Sequence, residues 1–234
     1  MKELVTEMAA AVKSRSALPR MPAELDLNGA YDIQKKLVEQ VAPGDVSGLK
    51  AGMTAAAGQK AFGLTHPLIG SLYGFGRLEP GVTFASGTGI SLECEIGVIV
   101  DAKGKPKSAG PVIEVPRMAW GHPDDAIGTN LTACNIAADR YIVGTQQDFR
   151  ENYDDVEIQL TRDGAVVCEA PASDALGGPQ AALAWMLQEA SARGLQLVDD
   201  MLLITGACGG IHAAQPGHYI ADYGSLGTIE FTVT

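Results

Sequence analysis

Apolar side chains recur every three to four residues in several stretches of the chain, and this spacing predicts amphipathic helices. Thr54 precedes one stretch as a predicted N-cap, and Gly194 follows the last one, as is typical of a helix C-terminus. Helices are predicted for residues 2–15, 27–41, 54–62, 124–139 and 179–193.

Short apolar runs bounded by turn residues predict β-strands. Asp163-Gly164 between two such runs predicts a β-hairpin. Residues 63–81 are rich in glycine and predict a loop, and the sheet pattern begins near Val82. Extended segments are predicted for residues 46–53, 92–100, 110–115, 141–144, 156–162, 165–170, 201–205, 219–223 and 228–233.

The order of these elements predicts the fold class. Two helices come first, and mostly strands with a few inserted helices follow, which is typical of an α+β fold with a mixed, curled sheet rather than a doubly wound one. We expect residues 1–45 to form a small helical N-terminal cap. Residues 46–234 are expected to form the main domain, a mixed β-roll.

Composition narrows the class of partner. The 234 residues carry a formal net charge of −11 and contain no basic run, which argues against nucleic acid and anionic membranes as partners. No stretch approaches the ~20 apolar residues of a membrane span, and the first residues do not resemble a signal peptide. The four cysteines form no CxxC pair, so we expect reduced cysteines in a cytoplasmic protein.

Three glutamates are candidate functional residues. Side chains alternate along a strand, so Glu93 and Glu95 share one face of the strand at residues 92–100. On spacing alone, the favoured interpretation is a sheet face in contact with water. The alternative is a divalent cation, because hard oxygen ligands favour Mg²⁺, Mn²⁺ or Ca²⁺. Glu114 ends another apolar strand and completes a three-carboxylate site if the two strands are neighbours.

Lys50 is the candidate cation. It lies among small residues in Ser-Gly-Leu-Lys-Ala-Gly-Met, residues 47–53. A lysine in such surroundings is held near an active site or is solvated on a loop, and the sequence leaves both interpretations open. Residues 206–210, Gly-Ala-Cys-Gly-Gly, predict either a tight turn or a set of backbone N–H groups around an anion, with the turn slightly favoured.

Taken in order, these motifs resemble those of a known family. The chain is similar to the 2-keto-4-pentenoate hydratase and 4-oxalocrotonate decarboxylase family, within the fumarylacetoacetate hydrolase superfamily, over about its whole length. The motifs that carry the resemblance are residues 48–54 (Gly-Leu-Lys-Ala-Gly-Met-Thr), 93–95 (Glu-Cys-Glu), 111–114 (Pro-Val-Ile-Glu), 180–185 (Gln-Ala-Ala-Leu-Ala-Trp), 202–206 (Leu-Leu-Ile-Thr-Gly), 216–217 (Pro-Gly) and 222–227 (Asp-Tyr-Gly-Ser-Leu-Gly).

The resemblance implies a fold and a reaction. The fold is a rolled, mixed β-sheet core of the fumarylacetoacetate hydrolase type with a helical N-terminal part. The reaction is a divalent-metal-dependent lyase reaction, hydration of a small 2-hydroxydienoate or 2-oxo-alkenoate through a metal-bound enolate, as in the degradation of aromatic compounds. A homo-oligomer is also expected.

The resemblance also implies roles for individual residues. Mg²⁺ or Mn²⁺ is held by Glu93, Glu95 and Glu114, and Lys50 is catalytic. Substrate contacts are expected from three further residues, Thr205, Gly206 and Asn135.

The chain departs from the family pattern at three places, one of which is Cys134 and Arg140, where other residue types are usual. Gly74 and Phe75 stand where family members carry an acid, and residues 205–209 read Thr-Gly-Ala-Cys-Gly where a Thr-Gly-Ser-Leu-Thr segment is usual. The metal half of the site is therefore expected to be intact and the acid/base half altered.

Two other functions remain open from the sequence. The first is decarboxylation of a 2-oxo-dioate of the 4-oxalocrotonate type. This needs a second carboxylate site, for which Arg117 and Arg140 are the candidate cations. The second is a non-catalytic protein that binds a 2-oxo acid or supports a partner enzyme.

Overall fold

The computed structural model describes residues 2–234, so Met1 of the predicted cap lies outside the described residues. The helices are α1 (Lys2–Ser14), α2 (Leu27–Val41), α3 (Ala56–Ala61), α4 (Gly128–Ala133) and α5 (Pro179–Ala192). The strands are β1 (Val46–Gly52), β2 (Leu68–Tyr73), β3 (Arg77–Leu78), β4 (Thr83–Phe84), β5 (Ser91–Val100), β6 (Pro106–Val115), β7 (Arg140–Val143), β8 (Gln147–Asp148), β9 (Glu157–Arg162), β10 (Ala165–Pro171), β11 (Met201–Ile204), β12 (Cys208–Ala213), β13 (Gly217–Asp222) and β14 (Thr228–Val233).

The strands of the described residues form two sheets. The larger sheet has the order β2-β1-β11-β5-β6-β7-β3, with β12 also paired to β5 and β8 to β6. The smaller sheet has the order β10-β9-β13-β14-β4. Most neighbours are antiparallel, whereas β1 and β11, β3 and β7, and β4 and β14 are parallel. The predicted α+β class with a mixed sheet is therefore confirmed.

The long helices follow from their apolar spacing and their end residues. In α2, Ile33 and Leu37 are fully buried, and the Asp26 side chain accepts a hydrogen bond from the Gly29 N–H at 2.7 Å as the N-cap. Pro179 occupies the first turn of α5, where its missing N–H costs nothing. The division into a cap and a main domain at residue 45 stays a prediction.

The prediction of a loop across residues 63–81 is wrong. All six residues of β2 are buried, and the strand pairs antiparallel with β1, so the larger sheet contains strands from well before Val82. Gly70 and Ser71 interrupt the apolar run and hide the strand from a periodicity argument. Burial of both faces removes the alternation that identifies a half-exposed strand.

Two predicted helices are also corrected. Residues 124–139 contain only the short α4, flanked by 3₁₀ turns, because residues 135–137 adopt left-handed backbone conformations that end the helix. The helix predicted for residues 54–62 begins at Ala56, and its N-cap is Ala55 rather than Thr54.

Residues 206–210 are only partly a turn, since β12 starts at Cys208 and pairs with β5 across a bulge. None of the helices described is long and apolar enough to cross a membrane. All four cysteines are free thiols.

Candidate active site

The hairpin of β5 and β6 brings the three glutamates together. Glu93 and Glu114 are direct cross-strand partners, and Glu95 lies two residues further along β5. Each of the three offers a carboxylate oxygen within 4.8 Å of the others. Glu95 and Glu114 are buried and Glu93 is half-buried, so the interpretation as a solvated sheet face is wrong.

Lys50 reaches the same cluster from β1. Only 2% of its side chain is exposed, and its ammonium donates hydrogen bonds to Glu114 and, at 2.9 Å, to the carbonyl oxygen of Ile136. β11 separates β1 from the hairpin, and Lys50 pairs with Ile204, the last residue of β11. The interpretation of Lys50 as a solvated loop residue is therefore wrong as well.

Burial and mutual charge shift the pKa values of this cluster. Burial, followed by the charge of Glu114, raises the pKa of Glu93 to about 7, although Lys50 opposes the rise. Burial, with Glu114 and Glu93, also raises the pKa of Glu95 well above its usual range. Burial by itself lowers the pKa of Lys50, but the neighbouring carboxylates of Glu114 and Glu93 outweigh burial and raise it. Lys50 is therefore a cation at neutral pH.

A strained turn presents one of the two acceptors of Lys50. Asn135, Ile136 and Ala137 all have φ between 52° and 57°, a conformation that costs roughly 1–3 kcal/mol for each such residue. The Asn135 side chain holds the turn, because it accepts from the Ser71 N–H and donates to the Ser71 carbonyl oxygen, both at 2.8 Å. Asn135 thus fixes the turn whose Ile136 carbonyl binds Lys50.

Thr205 and Gly206 have different roles in the structure. The Thr205 hydroxyl donates to the Ile96 carbonyl oxygen at 2.9 Å inside the sheet. The Gly206 N–H donates to Glu95 at 2.7 Å and so orients that carboxylate. Gly206 has φ +104°, and a Cβ there would lie 2.4 Å from the Thr54 side chain, so glycine is required.

The predicted site residues are therefore only partly assembled. Lys50, Glu93, Glu95, Glu114 and the Gly206 backbone converge on one place. The polar atoms of Thr205 and Asn135 are engaged within the fold, and this geometry gives no support to the substrate contacts predicted for them.

The donor set fits a divalent cation. Three carboxylates and one ammonium carry a formal charge of −2 when all four are ionised. The Glu114 Oε2 atom is buried without a hydrogen-bond partner, so a ligand oxygen is available at the centre of the cluster. Hard oxygen donors of this kind suit Mg²⁺ or Mn²⁺.

A cavity of about 280 Å³ opens onto the cluster. Lys50, Glu93 and Glu95 lie in its wall, and much of the remaining lining is apolar. The cavity lies at the low end of the range for small-molecule sites, which indicates a small ligand. The apolar lining residues are Ala51, Met53, Ala55, Phe62, Pro116, Met118, Leu131, Ile136, Ala137, Ala207 and Ile211.

A larger groove of about 650 Å³ lies between α2 and the segment that follows α5. None of Lys50, Glu93, Glu95 or Glu114 lines that groove. The larger groove is favoured by volume, but the smaller cavity is the better candidate, because the cluster of buried carboxylates and the Lys50 ammonium lies there.

Two contributors to the site have no signal in the sequence. Asp174, at the end of the 3₁₀ turn after β10, lines the cavity and accepts a hydrogen bond from the Gly209 N–H at 2.8 Å. The backbone carbonyl of Ile136 is the other. Backbone N–H groups in residues 206–210 do bind anions, but these anions are the chain's own carboxylates of Glu95 and Asp174.

The chain is similar to known proteins over almost its whole length. No protein-family model matches the chain. A 2-keto-4-pentenoate hydratase from Burkholderia vietnamiensis is 25% identical over 260 residues, which cover 98% of this chain and 97% of the hydratase. The resemblance predicted from the sequence is thereby confirmed.

Solved structures support the fold. The chain is similar to 4-oxalocrotonate decarboxylase from Pseudomonas putida G7, solved with magnesium and adipate, with a TM-score of 0.88 and 20% identity over 99% of this chain and 96% of that one. It is more distantly similar to fumarylpyruvate hydrolase from Pseudomonas aeruginosa, solved with Mn²⁺ and pyruvate. That match has a TM-score of 0.57 and 16% identity over 80% and 88% of the two chains. The predicted fumarylacetoacetate-hydrolase type of fold is confirmed.

Proposed function

We propose that the protein is a divalent-metal-dependent hydratase acting on a small 2-hydroxydienoate or 2-oxo-alkenoate, in the degradation of aromatic compounds. The observation that carries this proposal is the cluster of Glu93, Glu95, Glu114 and Lys50, three members of which line one small, largely apolar cavity. The hydratase relative and the magnesium- and manganese-containing structures of similar fold support the same class of chemistry.

The three glutamates are the proposed ligands of Mg²⁺ or Mn²⁺. A divalent cation held there supplies a Lewis acid that polarises the oxygens of a 2-oxo acid. The chain itself positions one ligand, because the Gly206 N–H hydrogen bond fixes the Glu95 carboxylate. Burial of Glu95, Glu114 and Lys50 strengthens the charge interactions among them.

Lys50 is the proposed catalytic residue. Its raised pKa keeps it protonated, so it acts as a positive charge beside the developing negative charge of the substrate. Its hydrogen bonds to Glu114 and Ile136 hold the ammonium in place before substrate arrives.

The direct test is hydration of 2-hydroxypenta-2,4-dienoate by the purified protein with Mg²⁺, followed by loss of the ultraviolet absorbance of the diene. We expect turnover that chelation by EDTA abolishes and Mg²⁺ or Mn²⁺ restores. Absence of turnover across a panel of 2-hydroxydienoates, with metal demonstrably bound, would contradict the proposal. Binding of oxalate without any product would then favour the non-catalytic alternative.

Decarboxylation of a 2-oxo-dioate is the second candidate, and the charges of the cavity do not favour it. Arg117 and Arg140, the cations expected to hold a second carboxylate, do not line the cavity. Arg117 donates to the Ser16 carbonyl oxygen, and Arg140 pairs with Asp139. Carbon dioxide release from 4-oxalocrotonate, without a hydrated product, would reverse this preference.

We further propose a cytoplasmic homo-oligomer. Four free thiols support a reducing compartment. The homo-oligomer is what the resemblance described from the sequence implies. Light scattering on the purified protein measures the subunit number directly.

A further inference from the structure

The charged residues of the cavity divide into two groups. Lys50, Glu93 and Glu95 lie in the deep cluster, whereas Asp174 is exposed to solvent and lies at the mouth. Lys50 is the only cation among the lining residues, and it is already bound by Glu114 and the Ile136 carbonyl oxygen. No cationic side chain of the described residues therefore faces the remainder of the cavity.

Much of the remaining wall of the cavity is apolar. Met53 and Phe62 line it from one side of the chain, and Ile211 lines it from β12. A carboxylate brought into these surroundings loses its hydration and gains no hydrogen-bonded cation in return. An alkyl or alkenyl group instead gains by burial, at roughly 25 cal/mol for each Å² removed from water.

Asp174 adds repulsion to this desolvation cost. Its carboxylate is held by the Gly209 N–H, so it does not swing freely away from the mouth. A second carboxylate on the substrate would meet this fixed negative charge, and discrimination through an unfavourable contact is a common basis of specificity.

We propose that the cavity accepts 2-oxo acids whose far end is uncharged and apolar, and that Asp174 is the residue that excludes substrates with a second carboxylate. This inference rests on the proposed function, because it assumes that the 2-oxo acid end binds at the glutamate cluster. It assigns the specificity of the site to a residue outside the cluster.

The test compares two stable probes of equal chain length, 2-oxohexanoate and 2-oxoadipate, which differ only in the terminal methyl or carboxylate group. Binding of each probe to the Mg²⁺-loaded protein is measured by calorimetry, so the result does not depend on turnover. We expect the parent protein to bind 2-oxohexanoate about tenfold or more tightly than 2-oxoadipate, equivalent to about 1.4 kcal/mol.

The diagnostic variant is Asp174→Asn. It removes the charge but keeps an oxygen that can accept from the Gly209 N–H, so the loop is expected to keep its conformation. We expect 2-oxoadipate binding to tighten more than 2-oxohexanoate binding, so that the ratio of the two affinities falls. The matched control is Asp154→Asn, which removes the same charge from an exposed residue outside the cavity wall and should leave the ratio of affinities unchanged.

The inference would be overturned if the parent bound 2-oxohexanoate and 2-oxoadipate with equal affinity. It would also be overturned if Asp174→Asn gave the same ratio of the two affinities as the parent. Either result would leave the proposed function standing. Selective binding of 2-oxohexanoate without hydration of any dienoate would instead overturn the proposed function and leave the inference standing. A protein that binds neither probe with Mg²⁺ present would overturn both.

Discussion

The two ends of β6 carry the same kind of ion pair in opposite surroundings. At the start of the strand, Lys107 pairs with Asp200 at 2.9 Å, and the side chains are 42% and 77% exposed. Near its end, Glu114 pairs with Lys50, and the side chains are 1% and 2% exposed. The difference shows that solvent access, and not the identity of the paired residues, decides what an ion pair does for the protein.

Water accounts for the difference between the two ends. At the exposed end, both charges are hydrated whether or not they pair, so the pair changes little. At the buried end, removal of one partner leaves a charge that neither water nor another cation compensates. Only the buried end therefore combines several carboxylates that can hold a divalent cation and support catalysis.

The largest effect is expected from Lys50→Met, which removes the positive charge from the buried end. We expect the free energy of unfolding, measured in urea with EDTA at pH 8, to fall by about 3–5 kcal/mol because Glu114 loses its partner. Added Mg²⁺ should recover part of the loss, since the ion supplies positive charge to the same carboxylates. If the variant had the same free energy of unfolding as the parent, the expected difference between the buried and exposed ends of β6 would be contradicted.

The Glu95→Gln variant should remove metal binding while the fold persists. The variant side chain keeps an oxygen for the Gly206 N–H, but the cluster loses one anionic ligand. We expect Mg²⁺-dependent activity to be lost. Stabilisation by Mg²⁺ at a hundredfold excess over the parent's dissociation constant, about 2.7 kcal/mol, should be lost as well.

The exposed Glu157→Gln on β9 is the matched control, and it should melt and respond to Mg²⁺ as the parent does. If Glu95→Gln responded to Mg²⁺ like this control, the glutamate cluster would not be the metal site.

The pH dependence of stability should also reflect the buried end. The pKa of Glu93 is about 7 in the folded chain and near 4.5 in the unfolded chain, so between these values the folded chain binds more protons. Without metal, the free energy of unfolding is therefore expected to fall as pH rises from about 4.5 to 7, on the order of 2 kcal/mol from this group. The raised pKa of Glu95 extends the fall to higher pH.

Urea unfolding in EDTA at pH 5, 6, 7 and 8 measures this dependence. The Glu93→Gln variant should give a flatter profile than the parent over the same range. A parent whose stability rises through this window, with the variant following it, would show that Glu93 titrates normally.

The smallest effect is expected at the exposed end. Lys107→Met breaks the contacts with Asp199 and Asp200, but both aspartates are exposed and remain hydrated. We expect the midpoint of urea unfolding and the response to Mg²⁺ to match those of the parent. A loss comparable to that of Lys50→Met would remove the distinction between the two ends of β6.

Part of this structure follows from local sequence. Amphipathic spacing located α1, α2 and α5, and Asp163-Gly164 located the hairpin of β9 and β10. These segments are predictable because each buries one face, so the pattern of apolar residues repeats the geometry of the element. By contrast, every residue of β2 is buried, and Gly70 and Ser71 interrupt its apolar run. Its sequence therefore shows no alternation of apolar and polar residues.

The amino-acid sequence by itself determined the candidate ligands, because the alternation of a strand places Glu93 and Glu95 on one face and apolar neighbours make Glu114 conspicuous. Only the tertiary structure decided their surroundings. Strand pairing set Glu114 opposite Glu93, the turn at residues 135–137 gave Lys50 an acceptor, and the segment after β10 brought Asp174 to the cavity. The physical reason is that charge chemistry depends on distance and water access between residues far apart in the chain, and these are fixed only when the sheets close.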